Sequence, residues 1–184
     1  MDLDYSDHGK VKVSMKQFTE KILAEFPDPL KKTAESPAGD TRFHVRDSDD
    51  PCRSPLTEER AQIFHRTVAH ILFLVARSRR DCQTAVAFLT TRVSDPDEDD
   101  WGKLRRVLRY LKRNPSLPLV FEADDISLVY WHVDASFAVH ADMKSHMGGT
   151  MLIGKGSVID TSLKQTKIIL EAPPKLRSSA PTML

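Results

Sequence analysis

The sequence predicts an α+β fold, and three observations predict it. Apolar residues recur at helical spacing between positions 57 and 113. Beyond Pro115 the pattern turns extended, in short runs separated by glycines. A hairpin-like stretch with its own helix precedes both. Helices followed by strands indicate two modules, with a boundary expected between 122 and 125.

Residues 3–14 read as a hairpin turning through Asp7-His8-Gly9-Lys10, where Gly9 supplies the positive φ that such turns need. Val11 and Val13 alternate with Lys12, as on a half-buried strand. Ser14-Met15-Lys16-Gln17 fits a capping box and opens a helix over 15–25, stopped by Pro27 and Pro29. Its apolar face is Phe18, Ile22 and Leu23. Residues 28–56 are rich in Pro, Asp, Ser and Lys without periodicity, and are expected to form a loop or mobile linker.

Thr57 caps the next helix, which reaches about Arg77 with Ile63, Phe64, Val68, Ile71, Leu72 and Val75 as its stripe. Another begins at Asp81, carries Ala85, Val86, Phe88 and Leu89, and frays near Val93. The last opens with four acids, 97–100, and closes with Lys112 and Arg113, both suited to the macrodipole. Trp101, Leu104, Val107, Leu108 and Leu111 form its apolar face, and Pro115 ends it. Strands are expected over 117–122, 126–138, 148–154 and 158–163.

The 184 residues suit one domain or two small ones, and a net charge of +1 excludes a strongly basic chain overall. Cys52 and Cys82 are the only cysteines, too few for a Cys-rich zinc site or a disulfide framework. The N-terminus shows no basic region followed by an apolar run, and the longest apolar stretch, 71–76, is far shorter than the roughly 20 residues of a membrane span. An intracellular chain, cytoplasmic or nuclear and without a membrane partner, is the expectation.

The motif with most chemical content is Trp131-His132-Val133-Asp134-Ala135-Ser136. An acid within an apolar strand is costly unless satisfied, and a hard cation such as Mg²⁺ is one partner for it. A strand-end aspartate bonded to nearby amides is the other reading. His132, Asp134, His140, Asp142 and His146 have the residue types of a transition-metal site but no compact ligand spacing. Lys103, Arg105, Arg106, Arg109, Lys112 and Arg113 crowd the polar sides of the last helix, either to follow a phosphate backbone or as a solvated face. No phosphate-binding glycine loop and no nucleophile elbow occur.

Several of these segments resemble the Pol polyprotein of copia-type LTR retrotransposons. Residues 3–26 resemble the segment after the reverse-transcriptase palm. Arg80-Asp81-Cys82-Gln83-Thr84-Ala85-Val86 is similar to the thumb pattern R-P-D-I-x-x-A-V, with Arg80 and Cys82 replacing Pro and Ile. The run Asp99 to Lys112 is similar to the connection helix. Val133-Asp134-Ala135-Ser136, followed by Met147-Gly148-Gly149 and Lys164-Gln165, resembles the start of the ribonuclease H. Residues 28–56 match poorly.

The resemblance implies the end of a palm and start of a thumb over 1–27, a loop or linker over 28–56, a helical thumb and connection over 57–122, and a partial ribonuclease H-like mixed sheet over 123–165. It implies Asp134 as a vestigial catalytic residue and metal ligand, one of several carboxylates that hold paired Mg²⁺ in the intact family. The polymerase motif Tyr-x-Asp-Asp is absent from this sequence, as is the nuclease helix Ser-Ser-Thr-Glu-Ala-Glu. One choice of codons for 166–184 reads that helix two bases out of frame, so an out-of-frame tail without fixed structure is expected after Lys164. The expected chain is a fragment of a reverse transcriptase/ribonuclease H polyprotein that lacks most catalytic carboxylates and works without a functional Mg²⁺ site. The alternatives are a module that binds an RNA–DNA hybrid or DNA duplex, its palm missing, and a residual Mg²⁺-dependent ribonuclease H.

Overall fold

In the computed structural model, strands β1 (Asp2–Asp4) and β2 (Lys10–Ser14) flank a turn. There Lys10 N–H donates to the Asp7 carbonyl at 3.0 Å and Gly9 adopts φ 73°. The structure describes residues 1–41, 43–46, 49–122, 125, 127–140, 142–165 and 182–183. They divide into two units: Met1 with Ser14–Pro118, and Asp2–Val13 with Leu119–Leu184.

The first unit is helical. α1 (Lys16–Glu25), α2 (Glu58–Val75), α3 (Gln83–Thr90) and α4 (Glu98–Arg113) surround one core. Phe64, Val68, Ile71, Leu74 and Val75 of α2 meet Val86 and Leu89 of α3 and Trp101, Leu104, Leu108 and Leu111 of α4, all essentially buried. Burying each of the larger side chains stabilises the unit by roughly 1.5–3 kcal/mol relative to exposure. The α2 stripe differs from expectation at one position. Leu74, three residues beyond Ile71, is buried, while Leu72, one residue and about 100° further round the helix, is 41% exposed.

The caps also differ. Ser14 is the last residue of β2, so its backbone is committed to a strand; Met15 is the N-cap of α1 and no side chain caps it. The capping box stands instead at α4, where Asp97 accepts from Asp100 N–H at 2.9 Å and Asp100 from Asp97 N–H at 3.3 Å. Thr57 caps α2 as expected, accepting from Arg60 N–H.

The second unit is built of strands. β3 (Leu119–Glu122) pairs with β2, giving the order β1-β2-β3. β4 (Leu128–Ser136), β5 (His146–Ile153), β6 (Ser157–Lys164) and β7 (Thr182–Met183) form a second sheet in the order β6-β5-β4-β7. The described pairings in this sheet are antiparallel, not mixed. The short links β4–β5 and β5–β6 permit nothing else, since parallel neighbours need crossovers of a dozen or more residues. Glu122 and Lys155 exchange both backbone hydrogen bonds, at 2.8 and 3.1 Å, and so join the two sheets. Gly156 follows at φ 107°, where a Cβ would collide with the Val120 carbonyl, so only glycine fits. Apart from β7, the tail expected after Lys164 lies outside the described residues beyond Gln165.

Candidate functional site

Strand alternation places Asp134 on the polar face of the four-stranded sheet. In register, Asp134 faces Gly148 and then Ser162; His132 faces Thr150 and then Asp160; Ser136 faces His146 and then Lys164. The opposite face is apolar, with Trp131, Val133, Met147, Ile159 and Leu163 all exposed. Val133 and Leu163 are 57% and 61% exposed.

Asp134 itself is exposed, and its Oδ1 accepts from Ala135 N–H at 3.0 Å. Asp160, two strands away, is engaged by Thr150 Oγ1 at 2.7 Å and Ser157 Oγ at 2.5 Å. Among the described residues no three His, Cys, Asp or Glu side chains gather where they could hold a metal ion. Among the described residues, a single carboxylate opposite a glycine does not fit a Mg²⁺ pair, which needs several oxygen ligands held together.

The five residues weighed as a transition-metal site separate for a visible reason. His140 and His146 come together, Nε2 to Nδ1 at 3.1 Å, and His146 Nε2 lies 2.7 Å from Ser162 Oγ. All three are buried. Asp142 turns instead to Lys164 at 2.9 Å and Lys144 at 3.2 Å. The hydrogen bond from Lys164 is the main cause that takes its pKa down to about 2. Burial lowers the pKa of His140, assisted by Lys164 and His146 and opposed by Asp142. Sequence reading missed the His140–His146–Ser162 chain; its one signal is that His146 and Ser162 fall on the same face of neighbouring strands, which requires the register.

In the helical unit, the cations of α4 meet the loop that precedes α2. Lys112 Nζ donates to the Leu30 carbonyl at 2.6 Å, and Lys103 Nζ donates to the His44 carbonyl. Arg106 donates to Ser36 Oγ at 3.0 Å, Arg113 pairs with Glu35 at 3.0 Å, and Arg105 Nε lies 3.8 Å from Asp28. The Arg109 carbonyl accepts from Ala34 N–H, while its own buried Nε has no hydrogen-bond partner among the described residues. The six residues therefore do share one helix, as their spacing requires, and most of them hold the loop. Asp28 also accepts from the buried Trp101 indole N–H at 2.8 Å. Neither Asp28 nor the loop carbonyls carried any sequence signal.

No family model matches the chain, and no solved structure matches it. Curated proteins do, among them the following two. A Ty5-1 transposon protein of Saccharomyces cerevisiae is 21% identical over 173 residues, 94% of this chain and 54% of that protein. A secreted RxLR effector protein of Plasmopara viticola is 29% identical over 106 residues, 57% of this chain and 75% of that protein. The chain thus spans about half of the first and three quarters of the second. It has distant similarity to a transposon protein. No described helix is long and apolar enough to cross a membrane.

Proposed function

We propose that the chain is a piece of a copia-type reverse transcriptase/ribonuclease H polyprotein that turns over no substrate by itself. The observation that carries this reading is Asp134, the carboxylate the resemblance assigns to metal. It stands on an open polar sheet face with a backbone amide as its hydrogen-bond partner, and the described residues gather no metal-binding group of carboxylates of the kind two-metal hydrolysis requires. The 94% coverage by a transposon protein supports the ancestry.

The test is hydrolysis of a labelled RNA–DNA hybrid with Mg²⁺ or Mn²⁺. The wild-type chain and Asp134→Asn are expected to give the same background. Metal-dependent cleavage that disappears in Asp134→Asn overturns the reading and restores a residual ribonuclease H.

A second reading, binding of an RNA–DNA hybrid or DNA duplex by α4, is favoured by Arg106. Its exposed guanidinium meets a neutral hydroxyl and so retains capacity for phosphate. Fluorescence anisotropy with a hybrid at several salt concentrations tests it. Phosphate contacts show as affinity falling steeply with salt; affinity unchanged by salt or by Arg106→Gln dismisses them.

A further inference from the structure

The loop, α3 and α4 line a half-open cavity of about 450 Å³ within the helical unit. Its apolar floor is Ala85, Phe88 and Leu89 of α3 with Val107 of α4. Small-molecule pockets are of this kind, roughly 300–1,000 Å³, apolar with a few convergent polar groups. The polar groups here are unequal. Arg46 and Asp99 satisfy each other at 2.6 Å, so that pair adds little net charge. Lys103 lies 3.6 Å from Asp100 and 4.7 Å from the Phe88 ring centroid. Burial lowers its pKa, with Asp100 the chief opposing influence. Arg106 meets the neutral Ser36 hydroxyl and rests against Gly39, leaving its charge largely uncompensated. Gly102 also lines the cavity, and a Cβ there would meet nothing within 4 Å.

We propose that this cavity binds a small amphipathic monoanion, an aromatic or branched aliphatic carboxylate. Its apolar body lies on Phe88, Leu89 and Val107, and its carboxylate meets Arg106 with Lys103 beside it. A monoanion matches Arg106, the lining cation whose hydrogen-bond partner is a neutral hydroxyl, since Arg46 is already paired with Asp99 and Lys103 lies by Asp100. This site is independent of the sheet that carries Asp134.

The test uses 2-naphthoate and its uncharged analogue naphthalene-2-methanol, titrated into the full chain and followed by ligand-observed NMR. The acid is expected to bind about tenfold more tightly than the alcohol, the usual scale of a charge-assisted hydrogen bond. Arg106→Gln, at an exposed side chain, is expected to remove that difference. Gly102→Phe fills the open space and is expected to abolish binding of both probes while the thermal unfolding midpoint stays where it was. If Gly102→Phe fails to fold, the loss of the acid's advantage in Arg106→Gln decides the matter alone. No binding of 2-naphthoate at millimolar concentration overturns the proposal. So does equal affinity for the acid in wild type and Arg106→Gln, which would place the probe elsewhere, for instance on the apolar sheet face.

Discussion

His140 Nε2 lies 3.1 Å from His146 Nδ1, so the two buried rings share one proton along that line. Burial holds the pKa of His140 below its ordinary value of 6.5, and Lys164 and His146 act in the same direction against Asp142. The folded chain therefore binds fewer protons than the unfolded chain as pH falls through that region. The contribution is full above pH 6.5 and is lost as pH falls towards the lower folded value. Asp142, with its pKa near 2, stays ionised throughout this window and does not obscure it. Urea unfolding of the strand-rich unit at pH 7.5 and 5.5 should show the lower midpoint at 5.5. A midpoint that does not move between the two would refute this linkage.

Arg79 is 1% exposed and is held by both oxygens of Asp81, at 3.0 and 2.7 Å, and by the Asn114 carbonyl at 2.6 Å. Removing the carboxylate leaves a buried guanidinium short of its counter-charge. Asp81→Asn is expected to cost about 2–3 kcal/mol, below the full buried-pair range because Asp81 is partly exposed. Chemical denaturation measures it; a loss under 0.5 kcal/mol would mean that water already compensates Arg79.

Asp97 caps α4 and is almost fully buried. Asp97→Ala should destabilise the helical unit by about 1–2 kcal/mol through the lost cap. Asp97→Asn should recover most of that, since an amide oxygen accepts the same N–H. Far-ultraviolet circular dichroism during thermal unfolding separates the two variants, and equal losses in both would assign the effect to charge instead.

Cys52 is exposed and Cys82 is fully buried, where desolvation raises its pKa well above the ordinary thiol value. Since the thiolate is the reactive form, a thiol reagent should modify one cysteine in the native chain and both after denaturation. Mass mapping that finds Cys82 labelled in the native state would show that the α3 end of the core opens.

The helices α2 to α4 were legible because each carries a sustained apolar period, and periodicity survives whatever tertiary partners turn out to be. The capping box of α4 was missed because its reciprocal partner is Asp100 rather than the Glu or Gln of the usual pattern. The strand holding Asp134 was legible; its surroundings were not, because register is set by β5 and β6. The hold of α4 on the loop was least visible. Lys112 and Leu30 stand 82 positions apart, and the acceptor is a carbonyl that any residue would supply.

That last point sets the rules of substitution for the segment that looked like a linker. Lys112 grips the carbonyl of residue 30 and Lys103 the carbonyl of residue 44, so at these two attachments side-chain identity in the loop contributes nothing to the bond. A library randomised at His44 should keep the attachment, whereas one randomised at Lys103 or Lys112 should lose it. At these two points the bond is written in the helix, whereas Asp28, Glu35, Ser36 and Arg46 seat the segment through their own side chains and are the positions where it should tolerate least drift.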